Sequence, residues 1–177
     1  MSVLRTLVLD TASTGFEELL ERRRRLGLDS HDEVWDGVLH VSPGPSHAHA
    51  SVVAQLALVL STPARAAGLE PTVEFNMGDS DANFRVPDGG LHRPGAAPMW
   101  HPTAALVIEV VSPGDESWEK LPFYAEHGVD ELLIVDPQRR SVDWLALGEG
   151  GYAAVEHSRL IELGRADLLE RIDWPSA

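Results

Sequence analysis

Two carboxylates and one lysine carry the chemistry this sequence offers most readily. Glu109 interrupts the run Ala104-Ala105-Leu106-Val107-Ile108-Glu109-Val110-Val111, in which every other side chain is apolar. Its period-2 neighbours Val107 and Val111 share its face, so a charge stands where valine is expected. A carboxylate there is costly unless it is paired or binds a cation; the structural alternative is a strand-end carboxylate satisfied by backbone amides. Asp88 follows Val86 and Pro87 at a point where the chain turns, and Pro-Asp-Gly is equally an ordinary turn signature. Lys120 is the only lysine beside thirteen arginines, and a compact ammonium is a different tool from a guanidinium. Two carboxylates near strand ends with an ammonium close by suit a hard divalent cation and a phosphodiester. Mg²⁺ takes one or two carboxylates, keeps waters and accepts a substrate phosphate oxygen. The lysine would stabilise charge at phosphorus or position the attacking water.

The elements that must position these groups read as mixed α and β. A helix is expected from about Gly15 to Leu26, capped by Thr11 or Ser13 and stopped by Gly27. Its run Arg22-Arg23-Arg24-Arg25 is read as a solvated face pairing with Glu17, Glu18 and Glu21, with a phosphate-binding patch as the alternative. Asp36-Gly37 inside Glu33 to Val41 signals a hairpin. Ser46 opens a second helix, from about His47 to Ala66, apolar nearly all round and expected against a sheet. Strands are expected at Pro71 to Asn76 and Asn83 to Val86, with a Pro- and Gly-rich loop from Pro87 to Pro102. The run from Ala104 to Val111 predicts a central strand buried on both faces. A short helix over Trp118 to His127 ends at Gly128. Strands at Glu131 to Asp136, Ser141 to Leu147 and Gly151 to His157 follow, then a terminal helix over Arg165 to Ile172.

Composition bounds the function. At 177 residues the chain amounts to about one domain at roughly 150 residues each. With no cysteine, disulfide frameworks, zinc ribbons, iron–sulfur clusters and cysteine nucleophiles are excluded. No apolar stretch reaches the ~18 residues of a membrane span, and the N-terminus is too short and too soon charged for a signal peptide. A cytoplasmic location is the expectation. The net charge of −14 repels phosphate backbones at long range, which argues against a passive nucleic-acid binder and suits an enzyme that gathers carboxylates around a metal. Phosphate-binding loops, dinucleotide fingerprints, His-Glu-x-x-His and Gly-x-Ser-x-Gly are all absent from the sequence. His47 and His49, two apart at a helix start, make a weak zinc pair with no third ligand suggested. Trp100 and Trp118 flank the proposed site, expected to pack under loops, with base stacking as the alternative.

The order of motifs resembles the Uma2 family, the DUF820 restriction-endonuclease domain of the PD-(D/E)XK nuclease superfamily. The resemblance is carried by Glu33…Asp36-Gly37, Ser42-Pro43 and His49, Val86-Pro87-Asp88, and Val107-Ile108-Glu109-Val110-Val111-Ser112-Pro113. It continues through Lys120…Tyr124-Ala125-Glu126-His127-Gly128-Val129 and Glu131…Ile134-Val135-Asp136-Pro137, and spans about Glu33 to Leu147. It implies a restriction-endonuclease-like fold, a mixed central sheet flanked by helices, in a single domain over residues 1–177. It also implies Mg²⁺- or Mn²⁺-dependent hydrolysis of DNA, or of RNA. Asp88 and Glu109 match the family's acidic pair and would hold the metal. Glu33 matches an early acidic residue, a further ligand or water orienter. His49 matches a histidine near the mouth of the site, placed for substrate contact or proton transfer. Val111 stands where the superfamily carries its lysine, and Lys120 matches the lysine this family carries on the following helix. Pro122 implies that this helix starts near Leu121, with Lys120 just before it. A homodimer would supply the two sites that a double-strand cut needs. The reading of a different class is a nuclease-fold module that acts through protein–protein contact without catalysis.

Overall fold

The computed structural model describes residues 7–9, 17–42, 44–95, 99–114 and 116–175. In chain order these form β1 (Leu7–Leu9), α1 (Glu17–Leu26), β2 (Glu33–Trp35), β3 (Val38–Val41), α2 (His47–Ala66), β4 (Glu70–Val73), β5 (Asn76–Ser80) and β6 (Asn83–Arg85). Then come β7 (Gly89–His92), β8 (Trp100–His101), β9 (Leu106–Val110), α3 (Leu121–Glu126), β10 (Glu131–Asp136), β11 (Ser141–Gly148), β12 (Gly151–Ala154) and α4 (Arg165–Arg171). The mixed α and β class is as expected. The strands divide between two mixed sheets, ordered β1-β3-β2-β6-β5-β8 and β12-β11-β10-β9-β7-β4.

The second sheet is the frame. Its strand β9 lies between parallel β10 and antiparallel β7, and all five of its residues are buried. Alternation sorts them. Leu106, Ile108 and Val110 join Val52, Leu56 and Leu60 of α2 and Leu168 of α4 in one core. Val107 joins Phe123 and Tyr124 of α3, with Phe75 and Met77, in the core on the other face. Glu109 therefore turns toward the α3 face, as the period-2 reading requires.

Local chemistry explains the elements that carry the site. Asp36 and Gly37 both have positive φ, 49° and 84°, the geometry of the primed turn that matches strand twist. The β2–β3 hairpin thus sets Glu33 opposite His40. Ser46 caps α2, its Oγ accepting from His49 N at 3.2 Å, which fixes His49 in the first turn. Lys120 caps α3 with no side-chain cap bond, and Pro122 falls in the first turn, where its missing N–H costs nothing.

The expected loop from Pro87 to Pro102 is corrected by β7 and β8. Strand β7 pairs with both β9 and β4 and is buried throughout. Gly89-Gly90 reads as a break because glycine has little strand propensity. Here the absent side chains are what the packing requires: a Cβ on Gly90 would meet Phe75 Cε1 at 2.7 Å and Leu106 O at 3.0 Å. Strand β5 was likewise not anticipated, and β4 ends at Val73. The expected caps Thr11 and Ser13 of α1 lie outside the described residues. Of its arginine run, Arg22, Arg24 and Arg25 are exposed as expected of a solvated face, while Arg23 departs from it and turns to Asp32, 2.7 Å away.

Candidate active site

Asp88 and Glu109 come together through strand register. Strands β7 and β9 pair Gly89 with Ile108, so the next place in the register sets Asp88 across from Glu109. Asp88 Oδ2 accepts from Val110 N at 2.7 Å, and Oδ1 lies 2.8 Å from His49 Nε2. The other His49 nitrogen, Nδ1, lies 3.0 Å from Ser112 Oγ. The first turn of α2 is thereby tied to the carboxylate and to the segment leaving β9.

Lys120 reaches the same place from the start of α3. Its Nζ donates to Glu33 Oε1 at 2.8 Å and to Glu109 Oε1 and Oε2 at 3.1 and 3.2 Å. Val111 at the position two past Glu109 therefore does not deprive the cluster of an ammonium. Tyr124, four residues on and on the same helix face, donates its hydroxyl to Glu109. Glu33 is nearly saturated: Oε1 also accepts from Val86 N and Oε2 from Trp35 Nε1, each at 2.8 Å.

The electrostatics follow from crowding three carboxylates in a buried place. Burial, opposed by Lys120 and reinforced by Asp88 and Glu33, pushes the Glu109 carboxyl up to about 7. Burial alone would lower the Lys120 ammonium, but Glu109 and Glu33 outweigh it and hold it above its ordinary value. Burial and the Glu109 charge also raise the Tyr124 phenol, which stays protonated and donates.

These groups open onto a cavity of about 440 Å³ lined by Glu33, His49, Asp88, Glu109, Ser112 and Lys120, among others. The structure thus brings together Glu33, His49, Asp88, Glu109 and Lys120, the five residues that the family resemblance assigns to a site. Among the described residues, no group of three or more His, Asp or Glu side chains is arranged to hold a metal ion. Of the His47–His49 pair, His47 is exposed and His49 is engaged with Asp88 and Ser112. A two-carboxylate set remains, and its chemistry fits Mg²⁺ or Mn²⁺. The donors are hard oxygens, and such ions need only one or two carboxylates beside water and substrate. Trp100 packs edge-on to Phe84. Trp118 departs from the packing expected of it and is 47% exposed, two residues before Lys120.

Sequence reading gave no role to Tyr124 or Arg85. The signal for Tyr124 was its spacing of four from Lys120 on a helix. Arg85 carried none, because its partners come from β2 and α3, remote in sequence.

The fold is a mixed α/β one, two mixed sheets with flanking helices, with acidic groups and one lysine meeting at a single cavity. The chain belongs to the Uma2 family, described as putative restriction endonuclease, whose model matches residues 16–172. Among solved structures it is similar to a putative nuclease belonging to DUF820 from Anabaena variabilis ATCC 29413, with a TM-score of 0.65. The two are 16% identical, over 78% of this chain and 89% of that one. A cryo-electron-microscopy structure of a DrdV–DNA complex overlaps 63% of this chain and 10% of its own, at 20% identity and a TM-score of 0.40. No curated protein matches the sequence. No helix among the described residues is long and apolar enough to cross a membrane.

Proposed function

We propose that the chain is a metal-dependent endonuclease that hydrolyses phosphodiester bonds in DNA, with RNA as the other polymer the same chemistry would cut. The observation that carries this reading is the meeting of Asp88, just before β7, Glu109 of β9 and Lys120, the cap of α3, at one cavity. Asp88 and Glu109 are the residues that would hold Mg²⁺ or Mn²⁺. When bound, the ion supplies a Lewis acid against the charge that develops on the phosphate.

The chain's own residues do the rest. Lys120 offers an ammonium to phosphoryl oxygens as water forms its bond to phosphorus and the bond to the departing sugar oxygen breaks. Glu33 holds Lys120 at the site while Tyr124 orients Glu109. His49 lines the cavity within reach of an entering phosphate and steadies Asp88. A cytoplasmic location and a two-fold pair of chains, one site for each strand, complete the reading. Sedimentation in the presence of duplex DNA reads the pairing.

One observation favours a second reading, a module without catalysis. Both Asp88 oxygens are already engaged, and Lys120 stands between Glu33 and Glu109 where an ion would compete with it. Incubation with supercoiled plasmid in Mn²⁺ separates the two. Nicked or linear product that vanishes with chelator supports the endonuclease. Intact plasmid with folded protein supports the module.

A further inference from the structure

Arg85 is 5% exposed and lies within a chain of stacked groups. Its guanidinium carbon is 4.3 Å from the Trp35 ring centroid and 4.0 Å from that of Phe123. His40 stacks on Trp35 at 4.1 Å and 15°, and His127 lies on Phe123 at 4.0 Å and 31°. The members come from β3, β2, β6, α3 and the His127 that caps its end, so the chain of rings joins the first sheet to the helix that Lys120 precedes. Arg85 Nη1 donates to Val34 O at 3.0 Å and to Phe84 O and Asn83 Oδ1 at 3.1 Å each. Its Nε is buried with no hydrogen-bond partner among the described residues.

That is an expensive arrangement. An unpaired buried N–H and a buried cation both oppose folding, and an apolar side chain would fill the volume without either cost. A lysine could not replace it, because only the planar guanidinium can lie against two rings and still fork to several oxygens. Its gain lies at the far edge of Trp35, whose Nε1 donates to Glu33 Oε2, while Glu33 Oε1 holds Lys120.

We infer that Arg85 is a positioning residue for the site: held between the Trp35 and Phe123 rings, it fixes the β2 indole against α3, so that the indole holds Glu33 and Glu33 holds Lys120. Its meaning for catalysis rests on the endonuclease reading above; the linkage itself rests on the contacts. Because Arg85 acts through Glu33, removing both should cost no more than removing Glu33 alone.

Hydrogen exchange at the indole nitrogens tests the linkage. Trp35 and Trp144 both donate to buried glutamates, Glu33 and Glu131, but Trp144 lies in the other core. Arg85→Lys is expected to lower Trp35 Nε1–H protection by about tenfold or more and to leave Trp144 unchanged. Equal loss at both indoles, or at neither, overturns the inference, since the first is general loosening. In the plasmid assay Arg85→Lys should slow turnover by about tenfold with little change in KM, and should slow a Glu33→Gln protein no further. Losses that multiply in the double variant overturn it as well. If Arg85→Lys does not fold, Trp35→Phe keeps an aromatic ring in the stack and removes the indole N–H that holds Glu33; unchanged turnover in that variant overturns the inference. A wild type that cleaves nothing sinks the endonuclease reading, and the indole exchange still decides whether Arg85 holds Glu33 through Trp35.

Discussion

Lys120 Nζ donates to Glu33 Oε1 at 2.8 Å, so the residue that starts α3 is tied to a strand of the opposite sheet. The same ammonium meets Glu109, and both carboxylate side chains are about 5% exposed. One cation therefore serves two buried carboxyl groups. Lys120→Ala takes that cation from both and should destabilise the protein by about 3–5 kcal/mol, the usual cost of breaking a buried pair by removing one partner. Urea denaturation at neutral pH reads this directly. A change within experimental error would mean that water reaches the carboxylates.

The Glu109 carboxyl gives stability a pH dependence of known sign. Its folded-state value, about 7, lies above its ordinary value of 4.5. The native state therefore binds the proton more tightly than the unfolded chain, and stability falls as pH rises from about 4.5 through 7. Glu109→Gln cannot titrate there. Its stability relative to wild type should improve by up to about 3 kcal/mol between pH 5 and pH 8. Parallel curves for the two proteins across that range would contradict the assignment.

Divalent ions should stabilise the fold by mass action. Millimolar Mg²⁺ or Mn²⁺ is expected to raise Tm in wild type and to do little in Asp88→Asn or Glu109→Gln. Binding near pH 6 should release a proton, because the Glu109 carboxyl must ionise to act as a ligand. Calorimetric titration in two buffers of different ionisation enthalpy measures the release.

Gly90→Ala tests the register that sets Asp88 across from Glu109. The new Cβ would lie 2.7 Å from Phe75 Cε1 and 3.0 Å from Leu106 O, and the carbonyl cannot move without disturbing β9. A loss of about 1–3 kcal/mol is expected from overpacking, read from the denaturation midpoint.

Much of this arrangement was legible in the residues alone, for identifiable reasons. The α2 boundaries, the β2–β3 turn and β10 follow from capping, positive-φ residues and apolar runs, all of them local signals. Glu109 was conspicuous because one charge broke an apolar strand. Strand β7 was hidden, because two glycines without side chains look like a turn until Phe75 is known to cover them. The engagement of Asp88 by His49, and of Glu33 by Trp35, was hidden too. Such contacts depend on how α2 and the hairpin meet the second sheet, which no spacing in the chain records. Arg85 belongs with these: its two ring partners are 50 and 38 residues away in the numbering.

The most direct test of the central claim is cleavage of supercoiled plasmid and single-stranded DNA in Mn²⁺ by wild type, Asp88→Asn and Lys120→Ala, each checked for folding. The account predicts metal-dependent cleavage by wild type and a loss of roughly two orders of magnitude or more in each variant. No cleavage by folded, metal-loaded wild type, or full activity in Asp88→Asn, would contradict it.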